Sequence, residues 1–305
     1  MGFLIIRKIV LVSLFWVVLL LSVFTVGAYE IRDTDTEIAD DFMVNPSKFE
    51  VNLDRGSSTT KTISVLNRTN KQLEFKVEVE DFVGSQDPNQ TVILQGDKKE
   101  LYSLEDYLIP EINTFSLKSG QKMILPITVK VPEDVNSGGL YGSVLISSHS
   151  ATEGAGTVII SRLGVLFFIS TNGEVIKDGK LTSFVKLNSE EKIGFEFLFT
   201  NTGNVHLNPY GHINIFNIVG TQISEIEVPA YFAMPDSVRY RKVEWDTGKL
   251  FGRYKAVISL DRGYSNLVDE LVVIFWVLSA KLLTILLGGI ILFIIVIFWL
   301  IKFLR

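Results

Sequence analysis

The chain contains no cysteine among its 305 residues. Without thiols there can be no disulfide, no thiolate metal site, no cysteine nucleophile and no lipid anchor on a cysteine. Small secreted domains often depend on disulfides for their stability. Any folded domain of this chain must therefore be stabilised by its core alone.

Histidine is scarce, and neither sign of charge dominates. The three histidines leave few candidates for acid-base chemistry, and the net charge of −5 comes from 34 acidic and 29 basic residues. The absence of a basic patch interleaved with aromatic residues argues against a nucleic-acid partner. The sequence also lacks a G-x-S-x-G turn and a phosphate-cradling glycine loop. We therefore predict that the protein is not an enzyme and that it binds no cofactor and no metal.

An uninterrupted apolar run occupies the C-terminal end. Residues 282–301 are apolar apart from Thr284 and carry no charge. About 20 such residues are what a helix needs to cross a bilayer core. Lys302 and Arg305 follow the run, and cations at such an end belong on the cytoplasmic side. We predict a transmembrane helix at 279–301 and a cytoplasmic tail at 302–305.

The N-terminal end has the pattern of an export signal. Arg7 and Lys8 precede an apolar stretch at 9–26, and Val26, Gly27 and Ala28 offer a cleavage site before Tyr29. This order is typical of a signal peptide, although the length of the stretch also allows an uncleaved signal anchor. We predict a signal segment at 1–28. Both alternatives place the middle of the chain outside, and cleavage leaves a single-pass protein of the cytoplasmic membrane.

The segment between the apolar runs shows the period of β-strands. Residues 29–41 are polar and acidic, and we interpret them as a flexible linker. Residues 73–80 then alternate between apolar and charged, which is typical of a strand with one buried face. Residues 123–131 repeat the pattern around Pro126, and a proline inside a strand indicates an edge strand or a bulge. Residues 103–106 have the form of a capping box, which predicts a short helical turn.

A second series of strands begins after a stretch rich in turn residues near 172–179. Many short strands, separated by glycine, asparagine and aspartate turns, are typical of antiparallel β-sandwiches. About 250 residues suit two domains of ordinary size. We predict an all-β fold with two tandem immunoglobulin-like β-sandwiches, at 42–171 and 172–278.

Few residues suggest chemistry. Glu78, Glu80 and Asp81 could be paired carboxylates for glycoside cleavage, but the wet face of a strand explains them more simply. His206 and His212 could bind zinc, but a zinc site needs a third ligand and another spacing. We favour the structural interpretation for both groups.

Three tyrosines are the candidate ligand-binding residues. Tyr102, Tyr107 and Tyr141 could form an aromatic surface on which sugars stack, since aromatic residues are common in binding patches. The alternative is that they pack in the core or at a hinge. Asn67 and Asn89 begin formal glycosylation sequons, which matter only in a host that glycosylates them.

Three blocks of sequence resemble a known family. They are residues 42–67, residues 131–144 with their Pro-Glu-Asp and Gly-Gly-Leu-Tyr-Gly turns, and residues 233–237 followed by Gly252-Arg253-Tyr254. Together they are similar to the WxL-interacting proteins of Gram-positive bacteria. The resemblance implies a first domain that binds peptidoglycan, a second domain that binds a host ligand, and a C-terminal anchor.

The function predicted from these observations is that of a membrane-anchored surface protein. Its sandwiches would bind peptidoglycan or another cell-surface protein, since binding sites are often carried by loops on such scaffolds. The alternative is a membrane-tethered chaperone or assembly factor that pairs one of its strands with a client. That alternative needs an open edge strand, for which residues 157–169 are the best candidate.

Overall fold

The computed structural model describes residues 29–87, 90–96, 98–99, 101–149, 161–187, 192–245, 252–277 and 280–303, with side chains in the last range from 288 onward. The predicted signal segment at 1–28, the sequon residue Asn89, the first residues of the candidate edge strand at 157–160 and the end of the tail at 304–305 lie outside these ranges.

The first sandwich is formed by two sheets. One sheet has the order β1–β9–β4–β2, and a further strand, β7, pairs with β9. Its strands are β1 (Glu30–Asp33), β2 (Phe42–Asn45), β4 (Ser58–Asn67), β7 (Leu108–Pro110) and β9 (Gln121–Lys130). The other sheet has the order β3–β11–β10–β5–β6, and β8 pairs with β5. Its strands are β3 (Lys48–Leu53), β5 (Leu73–Gly84), β6 (Val92–Leu94), β8 (Thr114–Leu117), β10 (Gly138–His149) and β11 (Ser161–Thr171).

The alternation along β5 builds the core of this sandwich. Phe75 and Val77 are buried and Val79 packs against the same core, whereas Lys76 is exposed and Glu78 is partly exposed. Met123, Leu125 and Ile127 approach from β9 on the facing sheet and are fully buried. The strand with one buried face predicted for residues 73–80 is therefore confirmed.

Two local predictions for this sandwich are corrected. Residues 30–33 do not belong to a linker, because they form β1 and pair antiparallel with residues 121–124 of β9. Pro126 does not lie on an edge strand, because β9 has β4 on one side and β1 and β7 on the other. On that second side β1 pairs with 121–124 and β7 with 127–129. Pro126 lies between the two, where the missing N–H interrupts no ladder.

The predicted capping box is also wrong in its detail. A 3-10 helical turn does form at Glu105–Tyr107, but the Ser103 side chain does not cap it. The carboxylate of Asp81 instead accepts the backbone N–H groups of Leu104 (2.8 Å) and Glu105 (2.7 Å) and the Ser103 hydroxyl. Asp81 is buried. It is a structural anchor, since its oxygen atoms are engaged by these three donors.

The second sandwich has the same all-β architecture. One sheet has the order β12–β13–β16, formed by β12 (Gly179–Leu187), β13 (Ile193–Asn201) and β16 (Ser237–Trp245). The other has the order β15–β14–β17–β18, formed by β14 (Tyr210–Phe216), β15 (Gln222–Val228), β17 (Gly252–Asp261) and β18 (Val268–Val277). Phe195, Phe197 and Phe199 are fully buried at its centre. The prediction of an all-β chain with two sandwiches is confirmed.

A buried asparagine ends one strand of each sandwich in the same way. Asn67 closes β4, and its amide donates to the carbonyl groups of Lys71 (2.8 Å) and Leu117 (2.9 Å). Asn201 closes β13 and donates to the carbonyl groups of Val205 and Ala233, both at 2.9 Å. Each side-chain oxygen accepts the N–H group two residues later. Asn67 is 0% exposed, so this sequon cannot be glycosylated in the folded chain.

The C-terminal segment is helical. Helix α1 runs from Ala280 to Phe303, and two residues separate it from the end of β18. Among the residues that the structure describes, no helix is both long and apolar enough to cross a bilayer. The membrane span at 279–301 stays a prediction.

Candidate functional site: an open strand edge beside the domain junction

The strand β11 is paired along its whole length on one side and along half of its length on the other. It pairs antiparallel with β10 from 161 to 171. On the other side β3 runs parallel to it and pairs only with 166–171. The prediction of a continuous edge strand at 157–169 is therefore corrected for 166–169, which lie inside the sheet. Within the described part of the chain, residues 161–165 have no partner on that side.

The backbone of Arg162 and Gly164 points towards this open side. The N–H group of Leu166 donates to the carbonyl of Ser47, just before β3, at 3.0 Å. Backbone groups of alternate residues in a strand point to the same side. The unpaired groups of Arg162 and Gly164 thus form a template for one further strand, in line with β3. Leu163, which is 41% exposed, adds an apolar side chain beside that template.

Charged side chains lie on the outer face of the sheet next to the open edge. Arg162 is 3.4 Å from both Glu78 and Glu80, and Lys76 pairs with Glu78 at 2.6 Å. The hydrogen bond from Lys76 is the main cause that lowers the pKa of Glu78. The Glu78 carboxylate therefore stays ionised, and both glutamates are paired with cations, which supports the interpretation of a wet strand face over a glycosidase pair.

The C-terminal half of β11 enters the junction between the sandwiches. Phe168 is fully buried, and its ring centroid lies 4.9 Å from that of His206 and 5.0 Å from that of Phe232, both in the second sandwich. Phe82, Tyr141 and Met234 complete this aromatic cluster. Gly84 also belongs to the contact, because a Cβ there would lie 2.5 Å from Cβ of Ser237. The open edge is thus held on a tightly packed two-domain body.

The three predicted ligand-binding tyrosines are only partly brought together. Tyr141 is 1% exposed, and its hydroxyl accepts the backbone N–H of His206 at 2.7 Å. Tyr102 stands against its ring, with centroids 6.1 Å apart, and donates to the carboxylate of Asp236 at 3.2 Å. Tyr107 packs against the core of the first sandwich instead. Burial and the Asp236 carboxylate raise the pKa of Tyr102 to about 12.

The sugar-stacking prediction is therefore wrong for Tyr141, because a buried ring offers no face to a sugar. Burial raises the pKa of its hydroxyl well above the usual range, so the group stays neutral. Tyr102 and Tyr141 instead pack at the junction between the sandwiches, which agrees with the alternative interpretation of packing at a hinge. They fasten the first sandwich to the second.

A polar cleft runs beside the aromatic cluster. Its volume is about 350 Å³, and its lining includes Glu50, Lys177, His206 and Asn208. Nε2 of His206 lies 3.8 Å from Glu50, which also accepts from Asn208 at 3.3 Å. Burial acts to raise the pKa of Glu50, but Lys48 and His206 outweigh it and lower the pKa. Burial lowers the pKa of His206, and Glu50 only partly offsets this effect.

The junction is expected to weaken as the pH falls. The pKa of His206 is lower in the folded chain than its unfolded value of about 6.5. The unfolded chain then binds more protons, so this contribution to stability is present above about pH 6.5 and is lost as the pH falls through the folded pKa. We expect the thermal midpoint of the full chain to drop between pH 8 and pH 5, and His206→Gln to flatten that dependence. An equal drop in the variant would assign the effect to other groups.

The two histidines considered as zinc ligands lie apart in the described structure. His206 lies in the junction, and His212 lies on β14 opposite Ser259 and Glu227. Among the described residues, no group of three or more histidine, aspartate or glutamate side chains could hold a metal ion.

Sequence patterns pointed to β11 but not to its half-paired state. The composition of residues 157–170, rich in residues that favour strands, indicated a strand. Its short parallel partner β3 lies more than 100 residues earlier in the sequence, and no local pattern indicates that the two strands pair. One available signal was Pro46, which directly follows β2, at the point where the chain leaves one sheet for β3 in the other.

Comparisons with known proteins give only a distant likeness to solved structures. No protein-family profile matches the chain, and no curated protein matches it. Similar solved structures include the class 5 fimbriae chaperone CfaA, with 14% identity over 78% of this chain and 100% of that chain and a TM-score of 0.39. The YadV chaperone has 8% identity over 77% and 100%, with a TM-score of 0.41. The Escherichia coli chaperone DraB has 11% identity over 78% and 98%, with a TM-score of 0.36. At these TM-scores and identities the likeness carries no argument.

Proposed function

We propose that this protein is an assembly factor that holds a client by adding a client strand to the open edge of β11. The observation that carries the proposal is the half-paired state of this strand. Residues 161–165 present backbone groups without a partner among the described residues, directly in line with β3. Strand addition to an exposed sheet edge is a general mode of peptide recognition, in which main-chain hydrogen bonds give the affinity.

The residues around the open edge favour the binding of a client strand over aggregation. Long, flat and apolar edges are aggregation sites, and charged side chains protect against this. The described part of the free stretch is five residues long, and Arg162 stands in it beside Glu78 and Glu80. Its apolar element is Leu163. We infer a client segment that is extended and apolar, with at least one polar group towards Arg162.

The experiment compares two edge strands of the same chain. Leu163→Asp places a charge beside the open edge of β11, and Ile223→Asp places one on the edge strand β15, where Ile223 is 37% exposed. Both residues are exposed, so both variants should fold with stabilities within about 1 kcal/mol of the parent. We expect proteins that co-purify with the parent to be lost from Leu163→Asp and retained by Ile223→Asp. Retention by both variants would contradict strand addition at β11.

The peptidoglycan hypothesis from the family resemblance has its own measurement. The full chain and the same two variants can be sedimented with purified cell wall. Co-sedimentation that neither variant reduces, together with unchanged client capture, would replace the assembly proposal by cell-wall binding. The burial of Tyr141 leaves that hypothesis without one of its proposed sugar-stacking rings.

We also propose that the chain works outside the cytoplasmic membrane, tethered through its C-terminal segment. The apolar residues 282–301 and the cations after them support this placement, and Trp276, exposed near the end of β18, is a residue typical of membrane interfaces. Protease added to intact protoplasts should cleave between residues 29 and 277. Protection of this segment would mean the opposite orientation.

A further inference from the structure

Two arginines on an edge strand of the second sandwich have no acidic partner among the residues that the structure describes. Arg239 and Arg241 lie on β16, an edge strand, opposite Phe199 and Phe197 of β13. Residues directly opposite in an antiparallel pair share a face, so both arginines are on the core side of the sheet. Neither forms an ion pair or a side-chain hydrogen bond among the described residues.

Aromatic rings hold these arginines in place. The guanidinium carbon of Arg241 lies 5.1 Å from the ring centroid of Tyr231, and that of Arg239 lies 5.9 Å from the centroid of Phe232. Cation–π contacts of this kind account for the position of the two cations. They do not satisfy hydrogen-bond donors, because a ring face offers no lone pair in the plane of the guanidinium group.

Three buried polar groups at this place lack a partner. They are Nε of Arg239, Nε of Arg241 and the hydroxyl of Tyr231, and Tyr231 itself is only 7% exposed. Unpaired buried polar atoms are rare in folded proteins and call for an explanation. All three can donate a hydrogen bond. The shared property of the cluster is therefore a deficit of acceptors.

The electrostatics of the cluster point the same way. Burial and the neighbouring charge of Arg241 lower the pKa of Arg239, and Tyr231 opposes them only in part. Burial raises the pKa of Tyr231, while the two arginines act to lower it. Two cations that face each other with one neutral donor form a site whose ligand must be negative and rich in acceptor oxygens.

We propose that Arg239, Arg241 and Tyr231 form a binding site for an oxyanion of the carboxylate or phosphate class. One oxygen atom of the ligand would accept hydrogen bonds from the two Nε–H groups, and a second oxygen atom would accept a hydrogen bond from the Tyr231 hydroxyl. The site is independent of the open edge of β11, which lies in the other sandwich. It gives the second sandwich a ligand-binding role of its own.

Titration of the full chain with phosphate and, separately, with acetate tests the site. The NMR signals of the arginine Nε–H groups report directly on the atoms involved, and sodium chloride at equal ionic strength is the reference. We expect two arginine signals to move with saturation and to disappear from the spectra of the Arg239→Gln and Arg241→Gln variants. Saturation by phosphate alone or by acetate alone assigns the class of oxyanion.

Matched variants separate a built site from general attraction between charges. Arg241→Gln and Lys242→Gln each remove one positive charge from the same strand, but Lys242 is exposed on the opposite face. Tyr231→Phe and Tyr240→Phe each remove one hydroxyl, and that of Tyr240 already donates to Glu196 at 2.8 Å. We expect about tenfold weaker binding for Arg241→Gln and severalfold weaker binding for Tyr231→Phe, with both controls unchanged.

Tyr231→Phe keeps the aromatic ring that contacts Arg241, so we expect this variant to fold. It therefore tests the site even if Arg241→Gln fails to fold. Signals that move no more than in sodium chloride would overturn the proposal, since a bridging water would then explain the three donors. Equal weakening by Lys242→Gln, or full affinity in Tyr231→Phe, would overturn it as well.

Discussion

Replacement of Phe168 by alanine should separate the unfolding of the two sandwiches. The ring is fully buried between them, and it contacts Phe82 at 5.4 Å, His206 at 4.9 Å and Phe232 at 5.0 Å between centroids. Deletion of a buried phenylalanine ring costs about 3–5 kcal/mol. Because this ring contacts both domains, we expect the lost free energy to come from the interaction between the two domains. In calorimetry of the full chain we expect two resolved transitions where the parent shows one.

The matched control is the preceding residue on the same strand. Phe167 is as fully buried as Phe168, but it points into the core of the first sandwich and contacts Phe49 at 5.0 Å. Phe167→Ala should cost a similar amount and lower the stability of the first sandwich. A single, unshifted transition in Phe168→Ala would mean that the junction does not couple the domains. The description of the open edge as part of a tightly packed two-domain body would then be wrong.

Replacement of Asn201 by alanine should destabilise the second sandwich by about 2–4 kcal/mol. Its side chain is fully buried, donates to two carbonyl groups and accepts one N–H group, with all three distances at 2.9 Å. Alanine leaves the buried carbonyl of Val205 without this donor, and the carbonyl of Ala233 and the N–H group of Gly203 keep only their bonds to Leu207 (3.0 Å) and Asp178 (3.1 Å). Asn201→Asp should cost more, because it turns the donor into a second acceptor that faces the two carbonyl groups.

Asn208→Ala provides the comparison. Asn208 is partly exposed and makes a 3.3 Å bond to Glu50, so its loss should change the free energy of unfolding by less than about 1 kcal/mol. Denaturant titration followed by tryptophan fluorescence measures both variants, since Trp245 is buried in the second core. Equal costs for Asn201→Ala and Asn208→Ala would remove the structural role that we assign to the buried asparagine.

The strands could be predicted because their signal is local. Along β5 and β13, every second side chain is apolar, and the period of a strand places such residues on one face. That pattern led directly to the buried positions of Phe75, Val77, Phe195 and Phe197. The neighbours of each strand could not be predicted in this way. Pro126 was assigned to an edge because the split between β1 and β7, which accommodates it, depends on two segments distant in sequence.

The site depended still more on distant contacts. Tyr141 has the exposed-looking neighbourhood of a glycine-rich turn, yet it is buried because His206, 65 residues away, lies over it. Asp81 stands in the charged part of β5 like Glu78 and Glu80, yet it points inwards and holds the 3-10 turn. Arg239 and Arg241 gave no sequence signal, because only the fold sets them beside Tyr231 and Phe232 with no acidic partner in the described part of the chain.

The sequence by itself determined the all-β class, the two sandwiches and the apolar C-terminal segment, because each follows from the order of polar and apolar residues along a short stretch. Tertiary structure alone decided that β3 covers only half of β11, that the tyrosines fasten the junction, and that two arginines face a buried hydroxyl. The physical reason is that these features depend on contacts between segments far apart in the chain. Such contacts are set by the packing of whole sheets, and no local periodicity records them.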